Sequence, residues 1–236
     1  MLNRFSLFLI AAVLASPLAM AQELNVFDQI VHAGVAMYVI LAMSVLAAAV
    51  AIERMRHLRL QAIVPDGMAT EVVSLWRAHK FDQIEAIVSA NDSTLSRIIA
   101  YMLEKRHGSH AVMAGGCGDL ASRELREHQQ KAYALAVVAT MAPIIGLLGT
   151  VVGMVESFHA IAYAGGMGNP ALLAGGISKA LVCTAAGLSV ALSALGAHHF
   201  FKHRVVAYGL KLEKVVNQLL DECSPVGQSK NHLEVA

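Results

Sequence analysis

An all-α membrane protein, with three transmembrane helices extended by cytoplasmic helices after an N-terminal signal peptide, is the fold class this sequence predicts. Three observations predict it. Apolar residues make up 56% of the 236 residues and charged residues only 15%, against about 25% charged in soluble domains. Three stretches, residues 33–52, 132–158 and 171–197, are each long enough to cross roughly 30 Å of hydrocarbon at about 1.5 Å per residue. Most charged residues fall between and after those stretches, in 53–131 and 198–236.

Residues 1–21 read as a signal peptide. Arg4 gives a positive start, Phe5 to Leu14 an apolar core too short for a comfortable span, and Ala19-Met20-Ala21 a small-residue cleavage pattern. The chain that follows, from Gln22, is expected to begin with a periplasmic segment, 22–32. Transmembrane helix 1 (33–52) carries no charge and is followed at once by Arg54, Arg56 and Arg59. Positive charge beside a span marks the cytoplasmic end, so the N-terminus is expected in the periplasm.

The cytoplasmic helical domain, 53–131, holds the only tryptophan, Trp76. Asp66 precedes the helical repeat Met68, Val72, Leu75, Trp76, and Asp92-Ser93 precede Leu95, Ile98, Ile99, Met102. Both patterns predict amphipathic helices capped by those polar residues. Gly115-Gly116-Cys117-Gly118 is expected to break or bend the chain before a helix from Asp119 that rises into the membrane without a stop. It is no phosphate loop, because no Gly-Lys-Ser/Thr follows it.

Transmembrane helix 2 (132–158) and helix 3 (171–197) are joined by an uncharged periplasmic loop, 159–170, rich in Gly and ending in Pro170. The basic cluster His198, His199, Lys202, His203, Arg204 then opens a cytoplasmic tail, 198–236. Three separated cysteines, Cys117, Cys183 and Cys223, form no metal or disulfide pattern, and eleven histidines are scattered. No metal, no cofactor and no catalytic residue is therefore expected. A formal charge of +1 gives no basis for nucleic-acid binding.

The second and third spans carry stripes of small residues. Ala142, Gly146, Gly149, Gly153 and Ser157 share one helical face, and Ala180, Thr184, Gly187, Ala191 and Ala194 share another. Such stripes let membrane helices approach closely, so Gly146, Gly149, Gly153, Gly187 and Ala191 are expected packing positions. Thr150 and Thr184 add hydroxyls that either line a narrow polar path or bond their own helix. Pro143 is expected to kink the second span. Two ionisable residues, Glu156 and Lys179, lie at matching depth in the outer halves of the spans. They form a candidate intramembrane ion pair, within one subunit or between two, with separate snorkelling to the interface as the alternative. No aspartate, and no other glutamate, lies inside a span. A proton path would need a carboxylate from another chain.

Gly146-Leu-Leu-Gly-Thr-Val-Val-Gly-Met-Val-Glu-Ser-Phe158 and Gly176-Ile-Ser-Lys-Ala-Leu-Val-Cys-Thr-Ala-Ala-Gly-Leu188 resemble the second- and third-span motifs of the MotA/TolQ/ExbB proton-channel family. Within it the ExbB branch is most similar, and the TolQ branch of the Tol-Pal envelope system is the alternative. The resemblance implies a non-enzymatic inner-membrane subunit, a homo-oligomer of five copies. An ExbD-like single-span partner would supply the missing carboxylate, and the ring would use the proton-motive force to drive a TonB-like protein in uptake of iron chelates, haem or vitamins. It places Thr150 and Thr184 on the pore lining. It also implies glutamate where Lys179 stands and a neutral polar residue where Glu156 stands, so both charges depart from the family pattern. A scaffold that moves no ions is the remaining reading.

Overall fold

The computed structural model describes residues 34–163 and 170–223, and the predicted signal peptide and the whole periplasmic segment 22–32 lie outside them. Within the described residues the chain is helical, without a strand. Eight helices follow in order: α1 (Val35–His57), α2 (Leu60–Ile63), α3 (Met68–Arg77), α4 (Phe81–Ala90), α5 (Thr94–Glu104), α6 (His110–Lys131), α7 (Tyr133–Tyr163) and α8 (Pro170–Cys223). They divide into two compact units: residues up to 53 with 132–200, and residues 54–131 with those from 201 onward.

The first unit contains α1, α7 and the first half of α8, all long and apolar enough to cross a membrane. Its burial pattern reverses that of a soluble bundle. The buried positions are largely small: Ala47, Ala142, Gly146, Gly149, Ala180, Cys183, Gly187, Ala191 and Ala194. The exposed ones are large and apolar, among them Val45, Ile144, Leu147, Leu148, Val155, Phe158, Leu181 and Leu192. Soluble proteins do not leave so continuous an apolar surface uncovered. Lipid does not penalise it, and helices satisfy their backbone groups internally.

The second unit has an ordinary hydrophobic core. Val72 and Trp76 of α3, Ile84 of α4, Leu95, Ile98, Ile99 and Met102 of α5, and Met113 and Cys117 of α6 are nearly inaccessible. So are Val205, Leu212, Val216 and Leu219 of α8. Trp76 stands edge-on to Phe81, with ring centroids 5.5 Å apart. Ion pairs tie helices distant in sequence: Arg77 to Glu222 at 2.8 Å, and Arg97 to the buried Glu124 at 3.3 Å.

Local chemistry explains several boundaries. Ser93 caps α5, accepting from the Ser96 N–H while the Ser96 hydroxyl accepts from the Ser93 N–H. Asp66, expected to cap α3, does not. Gly67 occupies the N-cap at φ 80 with no side-chain cap bond, a conformation that glycine adopts at little cost. At the other end of α3 the Lys80 N–H reaches Leu75 O and the His79 N–H reaches Trp76 O. This is a Schellman closure with His79, not glycine, in the left-handed region at φ 55.

The expected break at Gly115–Gly118 does not occur, because α6 starts at His110 and runs through it. Burial against α5 decides the matter. Cys117 is fully buried, and a side chain at Gly116 would collide with the Tyr101 ring. Gly116 therefore makes room for a neighbour, and the helix does not use its freedom to turn. The helical run from α6 into α7, His110–Tyr163, is continuous as expected, marked only by a one-residue turn at Ala132. The Ala132 carbonyl there accepts from the Leu135 N–H at 3.2 Å and lies 3.3 Å from His198 Nδ1.

Candidate functional site

The residues singled out in the spans converge on one seam between α7 and α8. A methyl added at Gly146 would lie 3.2 Å from Thr184 Cα, and one at Gly153 would lie 3.1 Å from Ala180 Cβ. One at Gly187 would sit 2.6 Å from the carbonyl oxygen of Ala142. Residue numbers rise along α7 as they fall along α8, so the two helices are antiparallel. Glycines at these points bring backbone against backbone, which is how small residues hold membrane helices together. Ala191, one turn beyond Gly187, is also buried.

Sequence reasoning missed Cys183. Its Sγ fills the space left by Gly149, where Ala36 of α1 also approaches. The signal was present, since Cys183 follows Ala180 by three residues and buried cysteine behaves as a small apolar side chain. Ser157 closes the end of the seam nearest the α7–α8 connection, donating to Gly153 O at 2.7 Å and occupying the place of a Gly176 side chain.

The two threonines use their hydroxyls differently. Thr184 donates across the seam to Gly146 O at 2.9 Å, 38 residues away in sequence. Thr150 donates to Leu147 O of its own helix at 2.6 Å. Both side chains are half-buried. Their hydroxyl oxygens keep lone pairs free to accept, so the pair forms a short polar strip on an otherwise apolar surface.

Helical rotation places that strip on one flank of the seam. Thr150 follows Gly146 by four residues and Thr184 follows Ala180 by four, each a turn of about +40°. Glu156 follows Gly153 by three residues, a turn of about −60°, and Lys179 precedes Ala180 by one, about −100°. On facing antiparallel helices, turns of the same sign lead to the same side. The threonines therefore occupy one flank and the two charges the other. Glu156 and Lys179 are both exposed in the isolated chain, and no ion pair joins them among the described residues. Pro143 lies inside α7, half-buried, toward its N-terminal end. Among the described residues no group of three His, Cys, Asp or Glu side chains is placed to hold a metal ion.

Three membrane-spanning helices, a close small-residue hairpin with a hydroxyl strip, and a folded polar helical unit define a polytopic membrane transport subunit. More specifically, the chain belongs to the MotA/TolQ/ExbB proton channel family, whose profile matches residues 90–214 and so covers the seam and much of the second unit. A putative biopolymer transport protein ExbB-like 1 of Synechocystis is 29% identical over 195 residues, 82% of this chain and 76% of that protein. ExbB of Salmonella typhimurium is 37% identical over 86 residues, 36% of this chain and 35% of its own length. The Tol-Pal system protein TolQ of Haemophilus influenzae is 33% identical over 105 residues, 44% of each chain. The matched segment thus spans three quarters of the first relative and less than half of the other two.

Proposed function

We propose that this chain is the ExbB-type energiser subunit of an inner-membrane complex that couples proton flow to a TonB-like protein, driving uptake of iron chelates, haem or vitamins. The observation that carries this reading is the α7–α8 seam, where Thr150 and Thr184 expose hydroxyl oxygens along one flank. Hydroxyl oxygens can hold water in a narrow path. The flank carries no carboxylate, so the titrating group comes from a second chain, an ExbD-like single-span helix. Five copies arranged in a ring would surround such a helix with the threonine flanks inward. The N-terminus lies in the periplasm and the C-terminus in the cytoplasm, because Arg54, Arg56 and Arg59 follow the first span and Lys202 and Arg204 the third. The chain acts as a conduit and not as an enzyme.

Proton flux into liposomes tests this reading. Wild-type protein reconstituted with the ExbD-like partner is expected to conduct. Protein without the partner, and the Thr184→Val variant with it, are expected to lose most of the flux. Equal flux in Thr184→Val would remove the hydroxyl strip from the path, and no flux in any preparation would leave a scaffold. The TolQ relative supports a second reading, in which the same ring serves envelope maintenance. Co-purification decides between them: a TonB-like protein retained on the complex supports the first, a TolA-like protein the second.

A further inference from the structure

Charge inside a bilayer is retained only where it is paired or reaches water. Glu156 and Lys179 are the residues within the predicted second and third spans that are charged at neutral pH, and they have opposite sign. Two independent features of the seam place them. Gly153 faces Ala180 and Ser157 faces Gly176, so Glu156 stands level with residue 177, about 3 Å from the level of Lys179. The Gly149–Cys183 contact marks the flank. Glu156 lies two turns beyond Gly149 on α7 and Lys179 one turn before Cys183 on α8, so both stand above that contact, on its side. A lysine side chain reaches about 6 Å, more than the remaining offset. In the isolated chain both side chains are exposed.

We propose that, in the bilayer, Glu156 and Lys179 of one chain close into an ion pair across the α7–α8 seam. The pair is a clasp at the outer end of the hairpin, on the flank opposite the threonines, beside the side of α7 that meets Ala36 of α1. It neutralises two charges that would each be costly alone. It also holds the two helices in register, so that Thr184 stays opposite Gly146. This inference rests on the proposed membrane hairpin but not on proton conduction. The clasp is a positioning device and carries no proton.

The test uses the full chain in lipid nanodiscs, without partner or gradient, so its outcome is separate from that of the flux experiment. Glu156→Gln and Lys179→Gln are each expected to lower the melting temperature, and the double reversal Glu156→Lys with Lys179→Glu to restore it. Singles without effect, or a reversal that melts as low as the worse single, would overturn the clasp. A second measurement does not depend on stability. With Cys117, Cys183 and Cys223 replaced, Glu156→Cys with Lys179→Cys is treated with a short bis-maleimide. Cross-linking within the monomer band supports the clasp. Cross-linking only into dimers and higher species would move the pair between subunits and refute it.

Discussion

Replacing Gly187 by alanine tests the seam with one methyl group. That methyl would start 2.6 Å from the Ala142 carbonyl oxygen and 3.2 Å from Gly146 Cα, and both are backbone atoms that no rotamer change can move. Ordinary contact begins at 3.4 Å, so α7 and α8 must part locally by about 0.8 Å. A gap of that size forfeits about a quarter to a half of the dispersion energy of each contact it opens. It also stretches the Thr184–Gly146 hydrogen bond, now 2.9 Å, beyond its useful range. Overpacking of this kind costs about 1–3 kcal/mol, and an interhelical bond in a membrane averages about 0.6 kcal/mol. At about 2–4 °C per kcal/mol for a chain of this size, Gly187→Ala is expected to melt about 3–14 °C below wild type in nanodiscs. Gly196, in the same helix, has nothing within 4 Å of an added methyl. Gly196→Ala is expected to melt at or slightly above wild type, because alanine is the better helix former. If the two variants melt together, close backbone contact at Gly187 is not what holds the hairpin.

Three further outcomes concern the second unit. His79→Gly relieves a left-handed histidine at the end of α3 and is expected to add about 0.5–1 kcal/mol of stability, less what is lost from the ring contact with Phe81; a lower melting temperature would refute this. His128 has its pKa held below the usual 6.5 by burial, then by Lys131, Arg54 and Arg97, with Glu127 opposing. Its folded form resists protonation, so the stability present above pH 6.5 is lost as pH falls below that value toward the folded pKa. Melting curves of His128→Gln should lose that part of the pH dependence, and parallel curves would contradict it. Burial raises the Cys117 thiol to about 11, and burial with Glu222 raises Cys223 to about 12. Both should resist maleimide at pH 7.5 in the native protein and react on unfolding, and prompt native labelling would show that these thiols are accessible.

How much of this was legible in the sequence depends on what each signal reports. Uncharged length and the arginines beside it announced membrane helices, because the cost of charge in hydrocarbon leaves few ways to write such a segment. The α3 and α5 repeats were equally plain. Gly115–Gly118 misled because glycine alone does not say whether a backbone must turn or a neighbour must fit. Only the Tyr101 ring against Gly116 distinguishes these, and that contact joins separate helices. Asp66 misled for a related reason: a good capping side chain lost to Gly67, which sits one position nearer the helix at φ 80. Helix α4 drew no attention, since its ten residues bury only Ile84.

The same distinction governs the seam. A stripe of small residues announces that something approaches closely, but not what. The partner here is specified by complementary gaps: Gly146 opposite Thr184, Gly149 filled by Cys183, Gly153 opposite Ala180, Gly176 filled by Ser157. Each gap on one helix is met by backbone or by a small side chain on the other, and this fixes the register without any large interlocking residue. Once that register is set, the side on which every other residue falls follows from rotation alone. The two threonine hydroxyls and the two charges then fall on opposite flanks. A one-residue slip would turn α8 by about 100° and mix the two sets. A charged clasp at the loop end of the hairpin adds to this: the register set by the gaps is also the one in which both charges are neutralised.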